Sequence, residues 1–153
     1  METIERNFDF YEPMTVHESS LSPCVHAILA CKLGRGEKAY EMYLRTARLD
    51  LDDYNNDTEE GCHTTSMAGT WMAFAKGFAG MRVKAGQLHF SPYLPEKWGG
   101  YGFHIKFRGC NLTISASKEA VTIKNESAGD LNLFVYGEAQ ALAGNSEISV
   151  AIQ

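Results

Sequence analysis

The segment of this sequence with the most chemical potential is a turn of small residues that leads into an apolar helix. It reads Gly61-Cys62-His63-Thr64-Thr65-Ser66 and continues as far as Trp71. The start of a helix presents unpaired backbone N–H groups and the positive end of the helix dipole, so it can hold an anion. His63 adds a titratable donor, and the hydroxyls can donate to an anion or cap the helix. On these residues alone, an ordinary hydroxyl-capped helix is the more common explanation.

The composition excludes several classes of partner. The 153 residues are 44% hydrophobic and 22% charged, which indicates a folded chain of one domain or two small ones. A net charge of −5 argues against nucleic acid as a partner. Neither an apolar signal core nor a run long enough to span a bilayer is found, so we expect no membrane association. The four cysteines form no C-x-x-C pair, and we expect them to be reduced in a cytoplasmic protein.

The acidic segment at residues 49–57 invites comparison with a calcium-binding loop. The best register starts at Asp53, but it places Thr58 where glycine is needed and Thr64 where the bidentate glutamate belongs. Turns rich in Asp and Asn more often bond their own backbone. The sequence therefore predicts a structural loop here and no metal site.

The hydrophobic period changes near residue 85. Before this point the spacing of apolar residues is helical, and three helices are predicted at about 22–33, 37–49 and 66–80. After Gly86 the period is two, and short strands are predicted at 87–90, 102–107, 112–116, 121–125, 131–137 and 146–152. We therefore predict an α+β chain with a helical segment at residues 1–85 and an antiparallel β-sandwich at residues 86–153.

The third predicted helix is apolar around most of its circumference. Three helices beside a small sandwich cannot easily bury Trp71, Met72, Phe74 and Phe78 together. An apolar face should therefore remain uncovered. Either the chain forms a homo-oligomer through this face, or a further segment of a larger protein covers it.

Several stretches resemble, in the same order, the C-terminal part of the maltose, kojibiose and trehalose phosphorylases, glycoside hydrolase family 65. The likeness covers roughly residues 5–137. The matching stretches are His17–Pro23, Thr46–Asn56, Glu60–Trp71, Phe78–Arg82 and Leu94–Trp98.

The resemblance implies a fold and a reaction. The chain would contain the last helices of an (α/α)6 barrel followed by a small C-terminal β-sandwich. The family reaction is reversible phosphorolysis of an α-glucoside disaccharide with inversion, with inorganic phosphate as co-substrate and no other cofactor. It needs a glutamic acid that protonates the leaving oxygen. In the family this general acid and a lysine-glutamine pair near the sugar lie upstream of the matched region, so this chain has no catalytic residue of its own.

The resemblance also implies that part of a phosphate site is present. The turn at residues 61–66 resembles the family's phosphate-facing loop, with His63, Thr64 and Ser66 as the expected binding residues. Ser19 and Ser20 are a second pair of candidate donors, which His17 would position. Capping and loop bonding are an equally good explanation for that second segment.

Four interpretations of the function are compatible with the sequence. The chain is an inactive fragment of a phosphorylase, or a subunit completed by a separate catalytic chain. Alternatively it is a carbohydrate-binding module that uses the aromatic residues Tyr93, Trp98 and Tyr101, or a structural oligomer that uses its exposed helices.

Overall fold

The computed structural model describes all 153 residues, which form two compact units, Met1–Phe78 and Ala79–Gln153. The first unit is helical. Its helices are α1 (Glu2–Tyr11), α2 (Ser22–Lys32), α3 (Gly36–Ala47), the single turn α4 (Leu49–Asp52) and α5 (Thr64–Met72), and α5 continues as a π-helical segment, Ala73–Phe78. None of these helices is long and apolar enough to cross a membrane.

Small side chains allow the helices of the first unit to pack closely. Ala27, Ala30 and Ala39 are completely buried on α2 and α3. On α5, a Cβ placed on Gly69 would lie 3.1 Å from both Cβ and Sγ of Cys24. This close approach fixes the position of α5 against α2, because a larger side chain at residue 69 would require the helices to separate.

The helix predicted at residues 66–80 is α-helical only as far as Met72. The six residues that follow are wound as a π-helix, which turns their side chains relative to a straight α-helix. Phe78 is fully buried here, and its ring lies edge-to-face against Tyr43 at 5.2 Å between centroids. Apolar spacing cannot reveal such a change of winding, because both forms bury the same residue types.

An apolar surface remains on the helical unit. Met67 and Trp71, one turn apart on α5, are 54% and 47% exposed, and Leu21 and Val25 are half-exposed at the start of α2. Phe78, by contrast, is buried, so only part of the apolar set named from the sequence is uncovered. α1, which the apolar spacing did not predict, adds exposed Phe10 and Tyr11.

The second unit is a sandwich of two four-stranded sheets. The strands are β1 (Arg82–Lys84), β2 (Gln87–Phe90), β3 (Gly100–Phe107), β4 (Cys110–Ser117), β5 (Ala120–Asn125), β6 (Leu131–Val135), β7 (Glu138–Leu142) and β8 (Glu147–Ala151). One sheet has the order β1-β2-β6-β7 and the other β3-β4-β5-β8. Every pair of neighbours is antiparallel except β2 and β6, which run parallel.

Alternating side chains fill the space between the two sheets. Leu88, Phe90 and Leu133 from one sheet and Ile114 and Ile123 from the other are almost completely buried. This alternation is the period of two seen in the sequence, and the predicted class, helices followed by an antiparallel sandwich, is confirmed. The two short strands β1 and β7 were not predicted. The boundary predicted after residue 85 falls just beyond β1.

We expect Gly144→Ala to destabilise the sandwich, because a Cβ at this position would overlap the backbone carbonyl of Ala128. The loss should be about 1–3 kcal/mol in the free energy of unfolding, the usual cost of overpacking. Gly99→Ala is the matched control, since a Cβ there meets nothing within 4 Å. Urea unfolding followed by circular dichroism measures both variants, and equal stability of the two would contradict the prediction.

Candidate functional site

The carboxylate of Asp50 on α4 holds both the ring and the backbone of His63 at the start of α5. The imidazole Nδ1 lies 2.6 Å from Asp50 Oδ1, and the backbone N–H of His63 donates to Asp50 Oδ2 at 3.0 Å. Two hydrogen bonds from one side chain fix both the ring and the backbone of His63. Its ring orientation is therefore set by α4, which lies outside the turn that carries it.

A second carboxylate faces the other side of the ring. Asp57 Oδ2 lies 3.3 Å from His63 Nε2. The side chains of His63 and Asp50 are between a fifth and a quarter exposed and that of Asp57 about a third, so water reaches the group. The imidazole thus has an acid group opposite each of its nitrogens.

These contacts shift two pKa values in opposite directions. The hydrogen bond with Asp50, reinforced by the charges of Asp57 and Asp50, raises the pKa of His63 above its ordinary value of 6.5. The hydrogen bonds with His63 lower the pKa of Asp50 below 3.8. The geometry therefore favours an imidazolium–carboxylate pair, with N–H groups on both ring nitrogens.

The turn leaves one backbone donor unused at the start of α5. The N–H of Thr64 donates to the carbonyl of Cys62, and those of Ser66 and Met67 donate to the carbonyl of His63. The N–H of Thr65 has no hydrogen bond, and no side chain caps the helix. Thr64 and Thr65 are exposed, so their hydroxyls face solvent at the positive end of the helix dipole.

Ser66 takes a different position from the other candidates. It is only 2% exposed, and its hydroxyl donates to the backbone carbonyl of Thr46 on α3 at 2.9 Å. In this conformation the Ser66 side chain anchors α5 to α3. The sequence could not show that the Ser66 hydroxyl is buried while those of Thr64 and Thr65 are exposed, because all three lie in the same helical turn.

The segment carrying Ser19 and Ser20 lies against the same helix start. Ser20 Oγ is 3.4 Å from Thr65 Oγ1, and Ser19 Oγ accepts the N–H of Leu21 at 3.3 Å. The two candidate segments, far apart in sequence, are therefore neighbours in the structure. Ser19 is exposed and Ser20 partly so.

The buried side chain of His17 helps to hold this segment in place. His17 is buried with a left-handed backbone, and its Nδ1 lies 2.8 Å from Ser22 Oγ. Burial lowers the pKa of His17, so the ring is neutral at pH 7. A neutral, buried ring with a fixed partner is suited to positioning the loop rather than to binding an anion directly.

Two residues that the sequence analysis did not single out hold the backbone of the loop. Arg45 Nη2 donates to the carbonyl of His17 at 2.9 Å, and Asn55 Nδ2 donates to the carbonyl of Glu18 at 3.1 Å. Both also line a polar surface cavity of about 470 Å³ together with Asp57. Asp57 therefore borders both His63 and this cavity.

The acidic segment forms a self-bonded turn. Asp53 Oδ1 accepts the backbone N–H groups of Asp57 and Thr58, as expected for an Asp-rich turn. No group of three or more His, Cys, Asp or Glu side chains that could hold a metal ion is present. Asp50 and Asp57 were missed as site residues because their partner, His63, is brought to them only by the fold.

Comparison with known proteins identifies the family. The profile "Glycosyl hydrolase family 65 central catalytic domain" matches residues 1–72, and "Glycosyl hydrolase family 65, C-terminal domain" matches residues 81–142. The fold thus consists of a helical part of a carbohydrate-active catalytic domain and the sandwich that follows it. The chain belongs to glycosyl hydrolase family 65.

The relatives are phosphorylases of much greater length. Maltose phosphorylase of Bacillus subtilis is 52% identical over 147 residues, which are 96% of this chain and 19% of the relative. The α,α-trehalose phosphorylase of Thermoanaerobacter brockii is 47% identical over 118 residues, 77% of this chain and 15% of the relative. A solved structure described as a kojibiose phosphorylase from the human microbiome superposes with a TM-score of 0.90 at 38% identity, covering 97% of this chain and 19% of that one. The chain spans less than a fifth of each.

We expect Asp50→Asn to lower the pKa of His63 and to change how stability depends on pH. In the wild type, the His63 contribution is complete below pH 6.5 and is lost as pH rises through the raised folded pKa. The Asp50 contribution is complete above pH 3.8 and is lost as pH falls through its lowered folded pKa. The pair therefore stabilises the fold most between these values.

NMR titration of the His63 ring tests this prediction. Asp52→Asn is the matched control, since Asp52 lies on the same turn but pairs with Arg48 at 2.6 Å. The control should leave the pKa of His63 near the wild-type value. If both variants shifted it equally, the Asp50 contact would not be its cause.

Proposed function

We propose that this chain forms the C-terminal part of an inverting α-glucoside phosphorylase of the maltose type and contributes part of the phosphate site. The observation that carries this proposal is the placement of His63. Asp50 favours its protonated form at the start of α5, beside the exposed Thr64 and Thr65 and close to Ser20. A cation, hydroxyls and an unused N–H at a helix start form a donor set suited to phosphate.

The donor set is divided between direct and supporting roles. His63, Thr64, Ser19 and Ser20 are proposed to face phosphate, with the N–H of Thr65 as a backbone donor. Ser66, which was expected from the family resemblance to bind phosphate, is proposed instead to position the start of α5 through its bond to Thr46. Holding phosphate in place converts its attack on the sugar into an oriented, effectively intramolecular step.

The proposed role is incomplete without a general acid. Inverting phosphorolysis needs a carboxylic acid that protonates the leaving oxygen while phosphate attacks from the opposite face. The carboxylates close to the loop, Glu18, Glu59 and Glu60, do not match the family's acid. We therefore propose that the acid and the sugar pocket, including the α-glucoside site, come from a further catalytic segment.

The exposed apolar surface supports a partner of this kind. Leu21, Val25 and Met67 lie in the region that matches the family's central catalytic domain, and the relatives are far longer than this chain. We propose that other helices of such a domain cover this surface; self-association into a homo-oligomer is the alternative. We also propose a cytoplasmic location, which four cysteines without a disulfide favour.

We expect the purified chain to show no phosphate-dependent cleavage of maltose, kojibiose or trehalose, since loss of a proton donor alone costs about 10²–10⁴-fold in rate. Mixing it with the part of Bacillus subtilis maltose phosphorylase that precedes the matched region should restore activity. Met67→Glu should reduce this restoration, while Val83→Glu on the sandwich, also exposed, serves as the control. Turnover by the chain alone, or a homo-oligomer that never accepts the added segment, would contradict the proposal.

We expect inorganic phosphate to bind the isolated chain with millimolar affinity or weaker, about 4 kcal/mol, because the basic groups of a full site are missing. Amide shifts in NMR should centre on residues 63–66, with Ser19 and Ser20 moving at the same phosphate concentration. His63→Gln should weaken binding. The matched control is His104→Gln, because His104 is an exposed histidine that pairs only with Thr113 on the sandwich. Shifts elsewhere without movement of residues 63–66 would show that this turn is only a helix start.

A further inference from the structure

Only one ring nitrogen of His63 is available to a ligand. Nδ1 is committed to Asp50 at 2.6 Å, in a pair that also includes the backbone N–H. An anion that binds the imidazolium must therefore accept from Nε2. In the structure that position already faces a carboxylate, Asp57 Oδ2 at 3.3 Å.

The two carboxylates on His63 are held with different strength. Asp50 makes two hydrogen bonds to His63 from a helical turn anchored by the buried Leu49. Asp57 makes one longer side-chain contact, and its backbone is held separately: its N–H donates to Asp53 and its carbonyl accepts the N–H of Glu60. Turning the Asp57 side chain away would break that one side-chain contact and leave the backbone turn intact.

Space and a counter-charge are available for such a movement. Asp57 lines the polar cavity of about 470 Å³ that also contains Arg45, Tyr54, Asn55 and Glu18. The guanidinium of Arg45 borders this cavity, where Nη2 donates to the carbonyl of His17 and the guanidinium carbon lies 5.9 Å from the centre of the Tyr54 ring. A carboxylate that turns from His63 into this cavity meets water and a cation, so it is not left buried and unpaired.

We propose that Asp57 is an internal competitor for the anion site: its carboxylate occupies the position on His63 Nε2 that phosphate takes, and phosphate binds as Asp57 turns into the neighbouring cavity. This inference rests on the proposed function, since it assigns a gating role at that same site. Asp57 lowers the affinity of the empty site for weak or adventitious anions. Its release exchanges one carboxylate for the phosphate on the same N–H.

Competition by Asp57 and simple charge repulsion predict different behaviour of the Asp57 side chain. A fixed negative charge near the site would weaken phosphate binding without moving. A competitor must leave Nε2 at the same phosphate concentration at which the ion arrives. The side-chain carboxyl carbon of Asp57 should therefore report the binding directly.

The test measures binding of inorganic phosphate to the full chain by NMR in three proteins: wild type, Asp57→Asn and Glu60→Gln. Glu60 is the matched control, because it is an exposed carboxylate three residues from His63 that makes no side-chain contact with it. We expect Asp57→Asn to bind phosphate about fivefold more tightly, the effect of removing one partly exposed ion-pair contact. Glu60→Gln should stay within about twofold of the wild type. In the wild type, the carboxyl ¹³C signal of Asp57 and the Nε2 signal of His63 should shift together on one binding curve.

Each other outcome overturns the inference. If phosphate shifts His63 equally well in wild type and Asp57→Asn, Asp57 does not compete, although the proposed phosphate site stands. If Asp57→Asn and Glu60→Gln raise the affinity for phosphate equally, the cause is general charge repulsion, and the proposal that Asp57 competes with phosphate is wrong. If no protein shows phosphate shifts at residues 63–66, the proposed function fails and the inference fails with it.

Discussion

The arrangement of the candidate site depends on the carboxylate of Asp50. Its two hydrogen bonds hold the backbone and the ring of His63 at the same time and favour the charged form of the imidazole. The position of Asp50 is set in turn by the sharp reversal after α3. There Leu49 is buried, and Asp53 ends the α4 turn with a left-handed backbone. The ring of a histidine in a small-residue turn is thus ordered, and its charged form favoured, by a turn that precedes it by about a dozen residues.

Buried contacts in the helical unit place the rest of the donor set. Gly69 lets α5 approach Cys24 on α2, and Ser66 bonds the backbone of α3. These contacts bring the start of α5 to the segment that carries Ser19 and Ser20, whose backbone is held by Arg45 and Asn55. The solvent-facing hydroxyl and N–H groups are therefore ordered by these supporting contacts. Binding loops are commonly positioned by a rigid scaffold in this way.

The sequence could predict the parts of this fold that have a clear period. The two long helices at 22–32 and 36–47 and six of the strands follow from spacing and turn residues. It could not predict the π-helical winding after Met72, because winding leaves no mark on residue type. Nor could it predict the parallel pairing of β2 and β6, since pairing direction depends on how distant strands meet. β1 has only three residues, and β7 contains no β-branched or aromatic residue, so neither shows the pattern of a strand.

For the proposed anion site, the sequence indicated the candidate donors but not the residues that orient them. His63 and its hydroxyl neighbours stand together in the chain, so their chemistry is visible as a motif. Asp50 and Asp57 resembled part of an acidic turn, and only the fold shows that each faces one nitrogen of the same imidazole. Ser66 and Thr64 are likewise indistinguishable in type, yet one is buried and the other exposed. Burial is a property of the packed helices and cannot be read from one turn.

We propose that His63, the start of α5 and the Ser19–Ser20 segment form one phosphate-binding surface. The most direct test is a crystal structure of the full chain grown in inorganic phosphate, with a second crystal grown without it. We predict an ion within hydrogen-bond distance of His63 Nε2, the Thr65 N–H and at least one of the Ser19 and Ser20 hydroxyls, with Asp50 still bonded to Nδ1. An unaltered His63–Asp57 contact in both crystals, with phosphate absent from this surface, would contradict it.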